Sequence, residues 1–168
     1  MTGGTWGAEK GELVFMAGGE ASTLKRVEPV LGAMGKRWFH LGPIGAGQTV
    51  KLAMNLLLNL EVEAFAEALA LVTRAGVPGQ SLFEVMQSSM GRSGVLDLKG
   101  ANMLKGEYKP SFPLRLMHKD VGLALDLGNQ LGVPLPAAAA AREVMNSVKG
   151  AITEDVDFSA LATFWKKS

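Results

Sequence analysis

A row of polar residues within an otherwise apolar stretch is the first feature of the sequence that could carry chemistry. The row consists of Gln48, Lys51, Asn55 and Asn59, at spacings of three, four and four residues, which place it on one face of a helix. Burying a lysine is costly unless it is paired, reaches solvent or loses its charge, and desolvation lowers the pKa of a lysine side chain. Two interpretations remain open. Either the row lines a wet groove between helices, or Lys51 is a base near neutral pH beside a hydroxyl or carbonyl that Asn55 holds.

Glycines precede this row, in the segment Gly-Pro-Ile-Gly-Ala-Gly over residues 42–47. Glycines at a helix start let a ligand approach the exposed N–H groups, and anions are favoured there. The segment is not the dinucleotide-binding fingerprint, because Val50 stands where the third glycine of that motif belongs. Taken alone, the glycines therefore indicate no more than a place where a ligand could approach the backbone.

The helix that must carry the row is predicted over residues 46–75, with Gly-Val-Pro at 76–78 as its end. Roughly 30 residues at 1.5 Å each give about 45 Å, which is longer than a small domain is wide. Apolar residues occur on every side of this helix, which predicts that it is buried at the centre of the fold. Short connections between the later helices favour antiparallel neighbours. Those helices are predicted over 79–89, 96–104, 114–131, 136–148 and 158–167.

The first forty residues have a different pattern. Four glycines within residues 2–11 predict a loop, and the apolar run Leu13–Ala17 predicts a buried strand. Helical spacing over 20–34, with Pro29 inside it, and a second strand predicted over 37–41 complete a strand–helix–strand order. The predicted fold is therefore mainly α, built around one long central helix and preceded by a strand–helix–strand unit.

The composition narrows the class of protein. Of 168 residues, 48% are apolar, which is enough for a folded domain with its own core, and the absence of cysteine excludes disulfides and thiolate metal sites. A net charge of +1, from 17 basic and 16 acidic residues, gives no large positive field, so no nucleic-acid partner is expected. No stretch resembles a signal peptide or a bilayer span. We therefore expect a cytoplasmic protein that has neither a membrane partner nor a metal site.

The string from Gly42 to Asn55 resembles the catalytic signature of the β-hydroxyacid dehydrogenases, in which glycines precede a helix that bears a lysine and, four residues later, an asparagine. This family includes 3-hydroxyisobutyrate dehydrogenase, tartronate semialdehyde reductase and the glyoxylate or succinic semialdehyde reductases. Further matches follow in the same order along nearly the whole chain. Residues 2–4 resemble the family's substrate-binding Ser-Gly-Gly segment, 16–19 the strand end after it, 112–120 its late motif and 157–161 the start of its C-terminal helix.

The resemblance implies an oxidoreductase that interconverts a small hydroxyacid and its semialdehyde or keto form with NAD or NADP. Lys51 would be the catalytic acid/base. Lys119 would contact the cofactor, although a Lys-Asp pair early in a helix is also a common solvated surface. The substrate carboxylate or hydroxyl would be held by Asn55, Thr2, Gly3 and Gly4, with Thr2 standing where serine is usual.

Members of the family begin with a Rossmann domain that carries Gly-x-Gly-x-x-Gly, whereas this sequence starts at about the last third of such a domain. Residues 1–42 are therefore interpreted as a Rossmann remnant, and 43–168 as an all-helical substrate and dimerisation domain of the 6-phosphogluconate-dehydrogenase-like type. 6-Phosphogluconate dehydrogenase itself is a poorer match, because its motif has histidine where Met54 stands. We expect a chain that is inactive alone and forms a homodimer or higher homo-oligomer. The alternative is a non-catalytic helical dimerisation module that retains the dehydrogenase fold.

Overall fold

A pair of parallel strands forms the sheet of the first unit of the chain, Met1–Asn55. The computed structural model describes residues 1–152 and 155–166. Strand β1 (Leu13–Ala17) and strand β2 (Gly35–His40) are connected by a helix over Ala21–Met34, which Pro29 does not interrupt. The predicted strand–helix–strand order is confirmed, and β2 begins two residues earlier than the apolar pattern indicated.

The predicted loop at the start of the chain is wrong, because residues Gly4–Glu9 form helix α1, so the helix between the strands is α2. Thr2 pairs with Val14 of β1 through two backbone hydrogen bonds of 2.9 and 3.0 Å, which fixes the entry to α1. Gly3 and Gly11 have positive φ angles of 128° and 65° and turn the chain into and out of the helix. Glycine content alone therefore predicts a loop where a helix forms, since Gly3 and Gly11 flank α1.

In the second unit, Leu56–Ser168, the elements formed by the described residues are helices, and one isolated antiparallel bridge joins Pro113 to Asp157. The long helix α3 (Ala46–Arg74) begins in the first unit and continues into the second, one residue shorter than predicted. The later helices follow the predicted order, with ends that differ by at most three residues. The last one is a 3₁₀ helix, and Lys167, with which the prediction ended, lies outside the described residues. These elements are α4 (Gly79–Gln87), α5 (Gly94–Lys105), α6 (Leu114–Leu131), α7 (Pro136–Ala151) and the 3₁₀ helix η1 (Phe158–Lys166).

The core of the second unit draws on each of its helices. Phe65 of α3 meets Phe83 of α4 edge to face, with 6.0 Å between ring centroids. Gly100 of α5 lies directly against the Phe83 ring, where a Cβ would collide, so glycine permits the close packing of α5 on α4. The core includes Val62, Met103, Met117, Val121, Met145 and Leu161. Among the described residues, no helix combines the length and the apolar character needed to cross a bilayer.

The prediction that α3 is buried on every side is wrong for one of its faces. Leu57 is 61% exposed and Leu71 is 71% exposed, whereas Val62 and Phe65 of the same helix are buried in the core. The sequence pattern could not reveal this difference, because apolar residues face outward as readily as inward where a partner surface covers them. The second unit therefore presents an apolar stripe along α3.

Candidate active site

The two residues predicted to act together, Lys51 and Asn55, are in contact at the start of α3. The Lys51 Nζ donates a hydrogen bond to the Asn55 Oδ1 at 2.7 Å. Asn55 is almost fully buried and Lys51 is half-buried, so the amide is enclosed while the amine lies at the edge of the protein interior. Because four residues make just over one helical turn, this contact follows directly from the spacing. The pair presents an amine whose orientation is set by the buried amide.

The start of α3 is held against the end of β1 by close backbone packing. A Cβ on Gly18 would collide with the Pro43 carbonyl oxygen, and a Cβ on Gly47 would collide with the Met16 carbonyl oxygen. The Gly19 N–H also donates to the Gly42 carbonyl at 2.8 Å. Glycine is therefore needed at residues 18 and 47 for the packing of backbone on backbone. This packing places Lys51, one turn into α3, near the carboxyl end of a parallel strand.

The structure also brings the first residues of the chain towards Lys51. Burial lowers the pKa of the α-amino group of Met1, and the positive charge of Lys51 lowers it further, which requires the two groups to be near each other. Gly3 and Gly4, with φ angles of 128° and 61°, follow at the beginning of α1. The segment 2–4 and the Lys51 side chain thus lie in the same part of the first unit. The substrate-binding role of Thr2, Gly3 and Gly4 stays a prediction.

The polar row continues along α3 into the second unit, where it is enclosed. Asn59 is fully buried, and within the described part of the chain neither of its amide atoms has a hydrogen-bond partner. Glu63, one turn further on, is also buried, and its Oε2 has no hydrogen-bond partner there either. Burial, and then the negative charge of Glu67, raise the pKa of Glu63 to about 7. The sequence reasoning did not single out Glu63, although its position four residues after Asn59 was a signal.

We expect Glu63→Gln to change how stability depends on pH. The carboxyl titrates near 4.5 in the unfolded chain and near 7 in the folded one, so the unfolded state ionises first and stability falls as the pH rises between these values. Glutamine cannot ionise, so the variant should be about 1–2 kcal/mol more stable than the wild type at pH 8 and equal to it at pH 4. Urea unfolding at both pH values measures this difference. The control is Glu67→Gln, which should recover only a small part of the gain, and an unchanged pH dependence in Glu63→Gln would contradict the assignment.

Lys119, the predicted cofactor contact, lies on α6 in the second unit. Its side chain is 59% exposed, and its Nζ is 2.7 Å from the Asp120 Oδ1. This geometry suits a solvated ion pair as well as a lysine that reaches an anion at the surface. The role of Lys119 therefore stays a prediction.

A buried ionic network that the sequence reasoning missed lies in the second unit. The Lys99 Nζ is 2.6 Å from the Asp157 Oδ2 and also contacts the Ser111 Oγ. Burial alone would raise the pKa of Asp157, but hydrogen bonds from Lys99 and from the Phe112 and Ser159 backbone outweigh it, so the pKa lies below its ordinary value. Lys99 and Asp157 are 58 residues apart, and no local pattern joins them. In the sequence, Asp157 stands out only as the first residue of the motif at 157–161.

Two family models match the chain, and together they cover most of it. The model described as "NAD-binding of NADP-dependent 3-hydroxyisobutyrate dehydrogenase" matches residues 45–165, and the model described as "NAD binding domain of 6-phosphogluconate dehydrogenase" matches residues 1–42. Both descriptions name NAD binding, and the first also names NADP, so the cofactor is NAD or NADP.

Curated relatives and solved structures agree with these matches. The chain is 35% identical to 2-(hydroxymethyl)glutarate dehydrogenase of Eubacterium barkeri over 99% of its own length and 56% of that protein. It is 36% identical to a probable 3-hydroxyisobutyrate dehydrogenase of Mycobacterium tuberculosis, over 96% of the chain and 57% of the relative. A solved Mycobacterium tuberculosis 3-hydroxyisobutyrate dehydrogenase with L-serine superposes with a TM-score of 0.87 at 34% identity, covering 96% of this chain and 58% of that one.

The chain thus spans a little over half the length of the relatives it matches. Within that span, the helical match over residues 45–165 contains both Lys51 and Lys119, and the match over 1–42 contains residues 2–4. These are the segments that carried the resemblance in the sequence, in the same order. This chain therefore belongs to the β-hydroxyacid dehydrogenase family.

Proposed function

We propose that this chain is the substrate-binding and catalytic part of an NAD(P)-dependent oxidoreductase that interconverts a small hydroxyacid and its semialdehyde or keto form. The observation that carries the proposal is the 2.7 Å contact between the Lys51 Nζ and the Asn55 Oδ1, within a segment that matches the family's NAD-binding helical region. Residues 1–42 are the end of a nucleotide-binding domain in this proposal, and 43–168 form the substrate and dimerisation domain.

In the oxidation direction, Lys51 takes the proton from the substrate hydroxyl at its Nζ, and in the reduction direction it returns that proton to the carbonyl oxygen. Asn55 positions the amine, because its Oδ1 accepts one Lys51 N–H and so fixes the direction of the remaining Nζ positions. The backbone at Gly3 and Gly4, the Thr2 hydroxyl and the Asn55 amide hold the substrate carboxylate or hydroxyl. NAD or NADP, when bound, accepts the hydride from the substrate carbon or supplies it.

The residues present fit such a cofactor and substrate. An amine and an amide at the start of α3 suit a hydroxyl beside a carboxylate, and the exposed amine of Lys119 suits a phosphate or another anion. Lys119 contacts the cofactor in this proposal.

The proposed activity can be tested by joining the 168 residues to the unmatched part of the Mycobacterium tuberculosis relative, which this proposal takes to carry the rest of the nucleotide-binding domain. NADH or NADPH formation is then measured with 3-hydroxyisobutyrate and 2-(hydroxymethyl)glutarate, and consumption with succinic semialdehyde and glyoxylate. Turnover of at least one substrate, lost in the Lys51→Ala fusion, supports the proposal. A folded fusion that binds NADH and turns over none of the four contradicts it.

The 168-residue chain by itself is expected to show no hydroxyacid turnover. Hydride transfer requires the nicotinamide close to the substrate carbon, and positioning supplies much of the rate enhancement. The nucleotide-binding model matches only residues 1–42, and no Gly-x-Gly-x-x-Gly segment occurs in the sequence. The measurement is NADH formation by the purified chain with the substrates named above. Activity at the level of intact relatives would contradict this expectation.

The second candidate function, a non-catalytic helical dimerisation module, rests on the apolar stripe of α3. Leu57, Ala64 and Leu71 are exposed and lie seven residues apart, the spacing at which one helix face meets a partner helix. This stripe is compatible with both candidates, because an enzyme can also dimerise. The contact of Lys51 with Asn55 favours the enzyme, since a pure scaffold requires no lysine at that position.

We expect the chain to be a homodimer that Leu57→Asp converts to a monomer. A carboxylate at the centre of an apolar helix–helix interface would be desolvated without a partner charge, which is strongly unfavourable. The control is Leu131→Asp, since Leu131 is equally exposed but belongs to a different helix, α6. Light scattering at micromolar concentration gives the mass. A monomeric wild type, or a dimer that Leu57→Asp leaves intact, would contradict dimerisation through α3.

A further inference from the structure

The carboxylate of Asp157 holds the segment that leads into α6. Its Oδ2 accepts hydrogen bonds from the backbone N–H of Ser111 at 3.0 Å, from that of Phe112 at 3.1 Å and from the Lys99 Nζ at 2.6 Å. Two consecutive backbone N–H groups therefore converge on one oxygen, just before α6 begins at Leu114. Such an arrangement fixes both the position and the direction of the chain at this point.

Main-chain hydrogen bonds on both sides of Asp157 strengthen this attachment. Leu114, the first residue of α6, donates its N–H to the Val156 carbonyl at 2.8 Å, and Phe158 donates to the Phe112 carbonyl at 3.0 Å. The Asp157 N–H donates to the Tyr108 carbonyl at 3.0 Å. The segment from Tyr108 to Leu114 is thus attached to the short segment 156–158, and Asp157 is the charged centre of the attachment.

Helix α6 carries Lys119 five residues after its first residue, Leu114. At 1.5 Å per residue, Lys119 is about 7.5 Å along the axis from the helix start. A helix moves as a stiff element over this distance, so a shift or rotation at Leu114 is passed to the Lys119 side chain. Within the part of the chain that the structure describes, the exposed Lys119 pairs with its neighbour Asp120, a contact that by itself holds a side chain weakly.

We infer that Asp157, with Lys99 and Ser111, is a positioning residue for Lys119: it fixes the start of α6 and thereby places the Lys119 amine where it meets the dinucleotide. The inference rests on the proposed function, in which Lys119 contacts the cofactor. A second ion pair near the start of α6 offers a contrast. The Arg115 Nε lies 3.3 Å from the Asp155 Oδ1, and both side chains are more than half exposed. Exposed pairs of that kind hold geometry weakly, whereas the buried Asp157 is surrounded by donors.

The test uses the ¹⁵N-labelled 168-residue chain, titrated with NADH and followed by the chemical shifts of the backbone amides of residues 116–118. The quantity measured is the initial slope of shift change against NADH concentration, which is inversely proportional to the dissociation constant when binding is weak. We expect Asp157→Asn to lower this slope about tenfold, the effect of misplacing one hydrogen bond to a charged group. Lys99→Arg, which keeps the charge and the donors, should retain most of the slope.

Asp155→Asn is the matched control and should leave the slope unchanged. Ser111→Ala is a milder variant that removes the hydroxyl contacts of Asp157 and Lys99 while keeping their ion pair, so it tests the inference even where Asp157→Asn folds poorly. We expect Ser111→Ala to lower the slope less than Asp157→Asn, but measurably. All spectra are recorded well below the melting temperature of each variant.

The double variant Lys119→Ala/Asp157→Asn separates positioning from a general structural effect. If Asp157 acts through Lys119, the double variant has the same slope as Lys119→Ala alone. Two results would overturn the inference but leave the cofactor role of Lys119 intact. One is a double variant whose loss of slope equals the sum of the two single losses. The other is an unchanged slope in both Asp157→Asn and Ser111→Ala while Lys119→Ala lowers it. An unchanged slope in Lys119→Ala would overturn both.

Discussion

Replacing Lys51 with alanine, in a polypeptide that also carries the nucleotide-binding portion, is expected to lower kcat by about 10² to 10⁴. The reason is that the Nζ of Lys51 is the proton donor and acceptor in the proposed reaction, and alanine leaves the substrate oxygen without one. Cofactor affinity should stay nearly unchanged, because no contact of Lys51 with the dinucleotide is part of the mechanism. Steady-state kinetics and NADH binding, measured on the same preparation, test both parts.

Two further variants at this site sharpen the interpretation. Lys51→Arg should recover little activity, because a guanidinium stays protonated and cannot accept a proton near neutral pH. Asn55→Ala should be milder than Lys51→Ala and should raise KM as well, because it removes a contact that positions both the amine and the substrate. Gln48→Ala, which changes an exposed residue one turn earlier on the same face, is the control and should be nearly silent.

Activity of Lys51→Ala within a few-fold of the parent would show that the lysine is structural. The polar row would then be the lining of a wet groove, which was the other interpretation of the same spacing. Lys51 is half-buried beside Asn55, whereas Asn59 is fully buried in the second unit. The two ends of the row therefore have different environments although their sequence pattern is continuous.

What could be predicted from the sequence is what depends on neighbouring residues. The contact of Lys51 with Asn55 follows from a spacing of four on a helix, and α6 was predicted with its exact bounds, Leu114–Leu131, from apolar periodicity. Glycine content does not predict the start of the chain, because Gly3 and Gly11 flank helix α1 and turn the chain into and out of it.

The features that could not be predicted depend on contacts between residues distant in sequence, or on whether another chain covers a helix face. Lys99 and Asp157 meet across 58 residues, and a lysine on an amphipathic helix ordinarily faces solvent. The exposure of Leu57 and Leu71 could not be predicted either, because an apolar helix has the same sequence pattern whether its own chain or a partner covers it. Tertiary context decided both features.

The Asp157–Lys99 pair carries the largest expected effect on stability. Asp157→Ala is expected to lower the free energy of unfolding by about 3–5 kcal/mol, because it leaves the buried Lys99 ammonium without its counter-charge and removes the acceptor of two backbone N–H groups. Lys99→Met should be destabilising for the converse reason. The exposed pair gives the control, since Arg115→Ala should change stability by less than about 1 kcal/mol.

The pH dependence of this effect has the opposite sign to that of Glu63. The pKa of Asp157 is lower in the folded protein than the ordinary value of 3.8, so its contribution is fully present above that value and is lost as the pH falls through the folded pKa. Urea unfolding of wild type and Asp157→Asn should therefore show a difference in the free energy of unfolding that is constant between pH 5 and 8 and narrows below about pH 4.

Replacing both partners by apolar residues, as in Lys99→Met/Asp157→Leu, should recover part of the lost stability, because the cost lies mainly in leaving one charge alone. A single substitution at Asp157 that costs no more than Arg115→Ala would show that the buried pair does not hold the second unit together.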